Sequence, residues 1–279
     1  NKHMKELQER IVGEVKENGI AISHIKELFD QNTLALFNEG VEYFNDFMRA
    51  PHIIERCQSI VKGSPIQDKN KPYEITQYEY LRKPIGLENP IVRMYMSDVL
   101  IDMAEMFHGV VPRVRNILTW VHPQNPIQQE RNSQVWHRDQ EDWEIFKVFI
   151  LFSNVGPNNG PTQYIKKTQH GGKYGDITNN MNGQSTSSFK YDLPKEEIIS
   201  CEGKAGTVIF MNTNGLHKGG LVKEGVRCLT QANFLKPTAP LITNGTTLPT
   251  FNYSNRVNSL DISSNFYTLL SNKQKEVLI

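Results

Sequence analysis

Residues 206–222 read "GTVIFMNTNGLHKGGLV". Thr207 to Met211 is a β-branched and apolar run of strand length, and Asn212 to Gly215 is a turn. His217 follows the turn, and Gly219 and Gly220 beside it lack side chains that would keep backbone or ligands away. The reading is therefore of a buried strand that delivers a histidine to a glycine-lined turn, and the rest of the chain is read outward from it.

The same texture runs through residues 110 to 236. "RVRNILTWV", "SQVWHRD", "FKVFILFSNV", "TQYIKK", "EIISCE", "HKGGLV" and "RCLTQANFL" are short, rich in β-branched and aromatic residues, and punctuated by Gly, Pro and Asn. With the opening stretch they make about eight strands in roughly 125 residues without helices between most of them, which predicts a double-sheet jelly roll rather than a parallel α/β sheet. Before them the chain reads as helical. "MKELQERIVGEVKENG" has helical apolar spacing, "HIKELF" and "NTLALFNEGVEYFNDFM" continue it with Asn32 or Thr33 as N-cap, and "ENPIVRMYMSDVLIDMAEMFHG" places Pro90 in a first turn and Gly109 past the end. The expected organisation is one domain over 1–279: helices over 5–110, a mainly β, jelly-roll (double-stranded β-helix, cupin-like) core over 110–236, and a C-terminal extension over 237–279. The polar stretch 171–193 is expected to be a mobile lid.

Outward from His217, the second decisive stretch is "VWHRDQEDW", residues 135–143. In an extended strand His137 and Asp139 share one face while Arg138 takes the other, where a structural salt bridge is expected. Two imidazoles and one carboxylate on one side of a metal leave three positions open, which is the donor set of non-haem Fe(II) oxygenases. Ten residues after His217 comes Arg227, whose planar fork suits a carboxylate. The order His137-x-Asp139, His217, Arg227 fits an iron site with an anchor for a dicarboxylic 2-oxo acid.

These residues, with "QVWHRD", "KVFILFSNVGPNNGPTQYIKKTQH" and "AGTVIFMNTNGLHKGGLVKEGVRCLTQANF", resemble the phytanoyl-CoA dioxygenase-like family of Fe(II)/2-oxoglutarate-dependent oxygenases. "KKTQH" stands where the family has proline-glycine-serine, and the resemblance covers about residues 110 to 236. It implies that His137, Asp139 and His217 ligate iron and that Arg227 binds the distal carboxylate of 2-oxoglutarate. Gln134, Thr230 and Asn116 are further candidates for the cosubstrate pocket. It also implies Fe(II), 2-oxoglutarate and O₂ as cofactor and cosubstrates, and hydroxylation of an unactivated C–H bond with release of succinate and CO₂. Desaturation or ring closure is the alternative outcome, while the presence of Asp139 disfavours halogenation. A non-catalytic metal-binding jelly roll and a cupin enzyme without cosubstrate are the rival classes; Arg227 argues against both.

Bland readings apply elsewhere. Trp136 and Trp143 are expected to pack as core or pocket wall, His122 and His170 to be loop or supporting residues rather than ligands, and Cys201 and Cys228 to be buried thiols. Three scattered cysteines suggest a reducing compartment rather than a disulfide framework. A net charge of +1 offers no field for nucleic acid or anionic membrane. No apolar run reaches membrane-span length and no signal pattern opens the chain, so the cytoplasm is the expected location. "NKHM" reads as a cloning remnant. The partner is a small-molecule substrate whose identity, like the oligomeric state, is not legible.

Overall fold

The N-terminal segments fold largely as their caps dictate. The structure is a computed structural model that describes residues 2–63, 73–83, 85–127, 129–177, 194–239, 260–261 and 270–278. Helix α1 (Lys2–Asn18) gives way at Gly19 to strand β1 (Ile20–His24), followed by α2 (Ile25–Leu28), α3 (Gln31–Arg49) and α4 (Pro51–Val61). The cap of α3 is Asp30, two or three positions ahead of the expected Asn32 or Thr33; its carboxylate accepts from Thr33 N at 2.8 Å. A charged cap at the positive end of the helix outcompetes the neutral ones. Then come β2 (Ile75–Thr76), α5 (Gln77–Leu81), β3 (Ile85–Gly86), α6 (Pro90–Tyr95) and α7 (Asp98–His108). The single helix expected over 88–109 is thus two helices, because Ser97 has extended backbone (ψ 143°) and serves as N-cap of α7. Gly109 ends α7 in the left-handed region, as expected.

The strands after residue 110 are β4 (Arg113–Pro123), β5 (Phe146–Leu151), β6 (Thr162–Ile165), β7 (Ile198–Cys201), β8 (Thr207–Asn212), β9 (His217–Lys218) and β10 (Val226–Leu235). A major six-stranded sheet runs β1-β8-β5-β10-β4-β2 with antiparallel neighbours, and a three-stranded sheet runs β7-β6-β9. Strand β1 was expected to be helical; its sequence IAISH is strand-like, and the edge of β8 receives it in register Ile20↔Met211 to His24↔Thr207. Conversely, the expected strand "SQVWHRD" contributes only a bridge, His137↔His217. Two short elements complete the described chain: β11 (Leu260–Asp261), parallel to β3, and α8 (Asn272–Leu278). The rest of the expected C-terminal extension lies outside the described residues.

The two faces of the major sheet have different neighbours. Val148, Ile150, Val208, Phe210, Ala232 and Phe234 share one apolar core with the helices. Phe149, Leu151, Ile209, Met211 and Leu229 face the other way, packing with Tyr164 and Cys201 of the smaller sheet. Tyr164 is wholly buried, and its hydroxyl donates to Asn212 O at 3.0 Å. A Cβ on Gly215 would stand 1.8 Å from that hydroxyl oxygen, so the turn before His217 closes only around glycine.

Candidate metal centre and cosubstrate pocket

His137 and His217 are held by main chain from two directions. Their backbones exchange hydrogen bonds, His137 N to His217 O and His217 N to His137 O, both at 3.0 Å. Asp139 N donates to Thr213 O at 2.8 Å, which ties the aspartate to the turn after β8. Each imidazole is then oriented through Nδ1, which faces Val135 O at 2.8 Å in His137 and Gly215 O at 3.0 Å in His217. A carbonyl only accepts, so Nδ1 carries the proton and Nε2 keeps its lone pair. The free nitrogens converge on Asp139: His137 Nε2 lies 3.9 Å from Oδ1 and His217 Nε2 lies 3.7 Å from Oδ2. All three ligand atoms fall within 4.8 Å of one another, and the rings lie 4.3 Å apart between centroids.

The electrostatics suit a divalent metal. Burial, followed by the neighbouring His137, pushes His217 down to about 3, so it is neutral and able to ligate at physiological pH. Burial alone would raise the Asp139 carboxyl, but the charge of Lys147 above all, with the neighbouring imidazoles, outweighs it and holds the group well below the usual carboxylate range. Lys147, itself buried on β5, donates to Asp139 Oδ2. Two neutral nitrogens and one carboxylate, with orientation fixed by carbonyls behind them, form a fitting donor set for Fe(II).

Arg138 turns away from this cluster, as the alternation predicts. Its guanidinium donates to the carbonyls of Thr168, Asn214 (2.6 Å) and Gly175 (3.0 Å), and it feels the charge of Asp176. It thereby clamps the turn before His217 to the loop after β6. The His170 and Trp143 rings lie 4.6 Å apart, tilted by 47°, and Trp143 is half exposed rather than part of the core. His122 lies 3.7 Å from the Glu74 carboxylate and is no ligand. Residues 171–177 form turns around Gly172 and Gly175, while 178–193, the bulk of the expected lid, lie outside the described residues.

Arg227 opens β10 opposite His122. It is buried, which lowers it to about 10 and leaves it charged at neutral pH, and its Nε and Nη1 have no hydrogen-bond partner. Nη2 is 3.9 Å from where a Cβ on Gly219 would stand, so the guanidinium reaches the backbone two residues past His217. A buried guanidinium with unmatched N–H groups is what a carboxylate ligand would complete. The 129–134 segment lies against the same glycine, with Ser133 O accepting from Gly219 N at 2.8 Å. Gln134 is buried with Oε1 unpaired, and Ser133 and Arg131 are tied to the Tyr73 hydroxyl at 3.1 and 3.3 Å. Tyr73, which feels the charge of Arg227, carries no motif that marks it in the sequence.

Of the remaining candidates, Asn116 faces the space between the sheets, where its Oδ1 accepts from Gln231 Nε2 at 3.4 Å. Thr230 does not. Strand alternation turns it toward the helices, and its hydroxyl pairs with that of Tyr95 on α6 at 2.7 Å. The inward positions on β10 are Arg227, Leu229, Gln231 and Asn233, so Gln231 and Asn233 stand where Thr230 was expected. Glu141, Lys147 and Arg115 are further buried charges near the metal ligands that motif reading missed. Counting by two from Arg227 would have found Gln231 and Asn233; only the fold brings in the others.

Solved structures share this architecture. The non-heme alpha ketoglutarate dependent epimerase SnoN from nogalamycin biosynthesis superimposes with a TM-score of 0.55 at 12% identity, covering 84% of this chain and 85% of its own. The carbocyclase SnoK from nogalamycin biosynthesis gives 0.54 at 15% identity over 96% and 93%. Apo EctD from S. alaskensis gives 0.51 at 16% identity over 82% and 77%. At these identities the likeness establishes the fold. No curated protein sequence matches the chain. The sequence model of the family described as "Phytanoyl-CoA dioxygenase (PhyH)" matches residues 22–223 and takes in His137, Asp139 and His217, and the chain belongs to this family of iron- and 2-oxoglutarate-dependent oxygenases.

Proposed function

We propose that the protein hydroxylates an unactivated C–H bond of a small molecule, with His137, Asp139 and His217 as iron ligands and Arg227 as anchor of 2-oxoglutarate. The observation that carries this reading is the pairing of two features on either side of the glycines that follow His217. Three ligand atoms lie within 4.8 Å, and beyond them Arg227 keeps two unpartnered N–H groups. A metal-binding jelly roll with a purely structural ion has no use for the second feature.

The residues divide the work. Val135 O and Gly215 O hold the imidazoles in the ligating tautomer, and Lys147 restrains the Asp139 carboxylate. Arg227 orients the cosubstrate through its distal carboxylate, with Gln134 and the Tyr73–Ser133 pair walling the same pocket. Iron with 2-oxoglutarate and O₂ supplies the oxidising chemistry, and succinate and CO₂ are released. The protein contributes position and the exclusion of water.

The fold also hosts an epimerase and a carbocyclase, so product mass decides the outcome. Gain of one oxygen reports hydroxylation, an unchanged mass epimerisation, and loss of two hydrogens desaturation or ring closure. The test of the cofactor reading is Fe(II)-dependent conversion of 2-oxoglutarate to succinate, abolished by a chelator and restored by iron. Succinate formation that ignored the chelator would sink it.

A further inference from the structure

At the opposite end of β10 from Arg227, the wall beside the metal ligands is polar. Lys147, which donates to Asp139, stands opposite Asn233 in the ladder of β5 and β10. Asn233 Nδ2 reaches Glu141 Oε1 at 3.4 Å, and Asn116, paired with Asn233 on the other side, accepts from Gln231. The β10–β4 ladder slips between Asn233 and Phe234, so Arg115 is the extra residue of a bulge, a device that re-aims side chains near active sites. Arg115, Asn116, Glu141, Lys147, Gln231 and Asn233 are all buried.

Burying six hydrogen-bonding side chains in one place is costly unless each finds a partner. Within this belt the Asn233 Oδ1 has none. That acceptor is on the amide whose nitrogen reaches the Glu141 carboxylate, so two acceptor groups stand side by side next to an iron ligand. The Glu141 oxygens already accept from Asn233 Nδ2 and from Gln140 N at 3.0 Å, so an apolar substrate would leave the Asn233 Oδ1 unmatched, and a donor would match it and could share the carboxylate beside it.

Resting on the iron reading above, we propose that the substrate is a compact hydrophilic molecule that presents an N–H or O–H donor, an ammonium or a hydroxyl, to Glu141 and Asn233. The long acyl chain of a lipid thioester is a poor match to this wall. Glu141 and Asn233 are then specificity-determining residues, and Lys147 links them to the ligand carboxylate of Asp139.

The experiment uses the full chain with Fe(II) and 2-oxoglutarate. The anaerobic charge-transfer band comes first, because it reports the iron and cosubstrate site independently of any substrate. L-amino acids, hexoses, lauroyl-coenzyme A and laurate are then supplied with O₂, and succinate is measured. Stimulation by an amine or polyol probe is expected, with no stimulation by the acyl probes. Glu141→Gln should raise KM for that probe by roughly tenfold or more while the band still forms, the size of one lost charge-assisted contact. A larger rise for amines than for hydroxyl probes marks the donor as an ammonium, and an equal rise marks a hydroxyl. Asn233→Leu, folded by circular dichroism, should shift KM in the same direction. Turnover of an acyl probe, failure of every hydrophilic probe, or an unchanged KM in Glu141→Gln overturns the proposal while a normal band leaves the iron reading standing. Absence of the band in the parent overturns both.

Discussion

On one side of β10, Cys228, Thr230, Ala232 and Phe234 press toward the helical layer, while Arg227, Leu229, Gln231 and Asn233 look into the space between the sheets. Both sides are buried from Arg227 to Leu235. What separates them is how their polar atoms are matched. The Thr230 hydroxyl is closed off by Tyr95, and the outer core around it is apolar. On the inner side Arg227 Nε, Arg227 Nη1 and Asn233 Oδ1 are buried without hydrogen-bond partners. A protein tolerates such atoms where a ligand completes them. On β10 itself polarity alone does not mark the site, whereas the unmatched polar atoms of this strand lie on the side of the candidate metal ligands.

Substitutions can break this contrast, starting with the largest effect. Asp139→Ala on the inner side should abolish succinate formation and iron binding, because it deletes one of three metal ligands. The fold should persist, since the carboxylate of Glu141 also interacts with the Lys147 charge that the change strands. Iron uptake measured by metal analysis after gel filtration decides the matter. Iron bound at parental stoichiometry would show that the triad is misassigned.

Arg227→Ala comes next. Loss of a charge-assisted carboxylate contact in a buried pocket is worth about 2–5 kcal/mol, or roughly tens- to thousands-fold in cosubstrate affinity. Iron binding should be spared, because the side chain touches none of the ligands. Titrating the charge-transfer band with 2-oxoglutarate gives the affinity directly, and a parental value removes Arg227 from the pocket.

Much of the candidate centre was legible in the sequence because His137, Asp139, His217 and Arg227 lie in short, ordered stretches. His137-x-Asp139 needs only local geometry to converge, and His217 is announced by the strand and turn before it. The jelly roll follows from strand-length runs separated by turn residues. Legibility fails where tertiary context decides. "SQVWHRD" has the alternation of a strand, yet it makes only the His137 bridge, since its main chain is spent on turns and on Thr213 and His217. The IAISH segment is too short to be told from the helices around it, and the edge of β8 decides its state. Thr230 was assigned to the pocket because a buried strand such as "RCLTQANFL" shows no polar–apolar rhythm that reveals which face looks inward. Glu141, Lys147 and Arg115 carry no motif, and only the packing of three separate segments makes them neighbours.

On the helical side the effects should fall on stability and leave chemistry alone. His108 of α7 is buried with Nε2 against Phe234 O at 3.1 Å, and burial pushes its pKa down to about 4. Between about 6.5, the value for an unfolded histidine, and about 4, the unfolded chain binds a proton that the folded one does not. Stability is therefore fully present above the unfolded value and falls with pH across that window, by roughly 3 kcal/mol at most. His108→Gln keeps a donor for the carbonyl and removes the titration. Denaturation midpoints across that window should decline less steeply in the variant than in the parent. Equal slopes would show that His108 is protonated as readily folded as unfolded.

The smallest effect is the sharpest test of the two faces. Thr230→Val keeps the shape of the side chain and deletes only the hydroxyl that meets Tyr95. One buried hydrogen bond is lost, and the net cost should be about 1 kcal/mol, read as a small drop in the denaturation midpoint. The affinity for 2-oxoglutarate should stay at the parental value, because the side chain points away from Arg227 and the metal ligands. Its neighbours Leu229 and Gln231 look the other way, so the prediction separates residues adjacent in sequence by the alternation of a single strand. A Thr230→Val protein of normal stability but weakened cosubstrate binding would mean that β10 presents its other face to the pocket, and the inward assignment of Gln231 and Asn233 would fall with it.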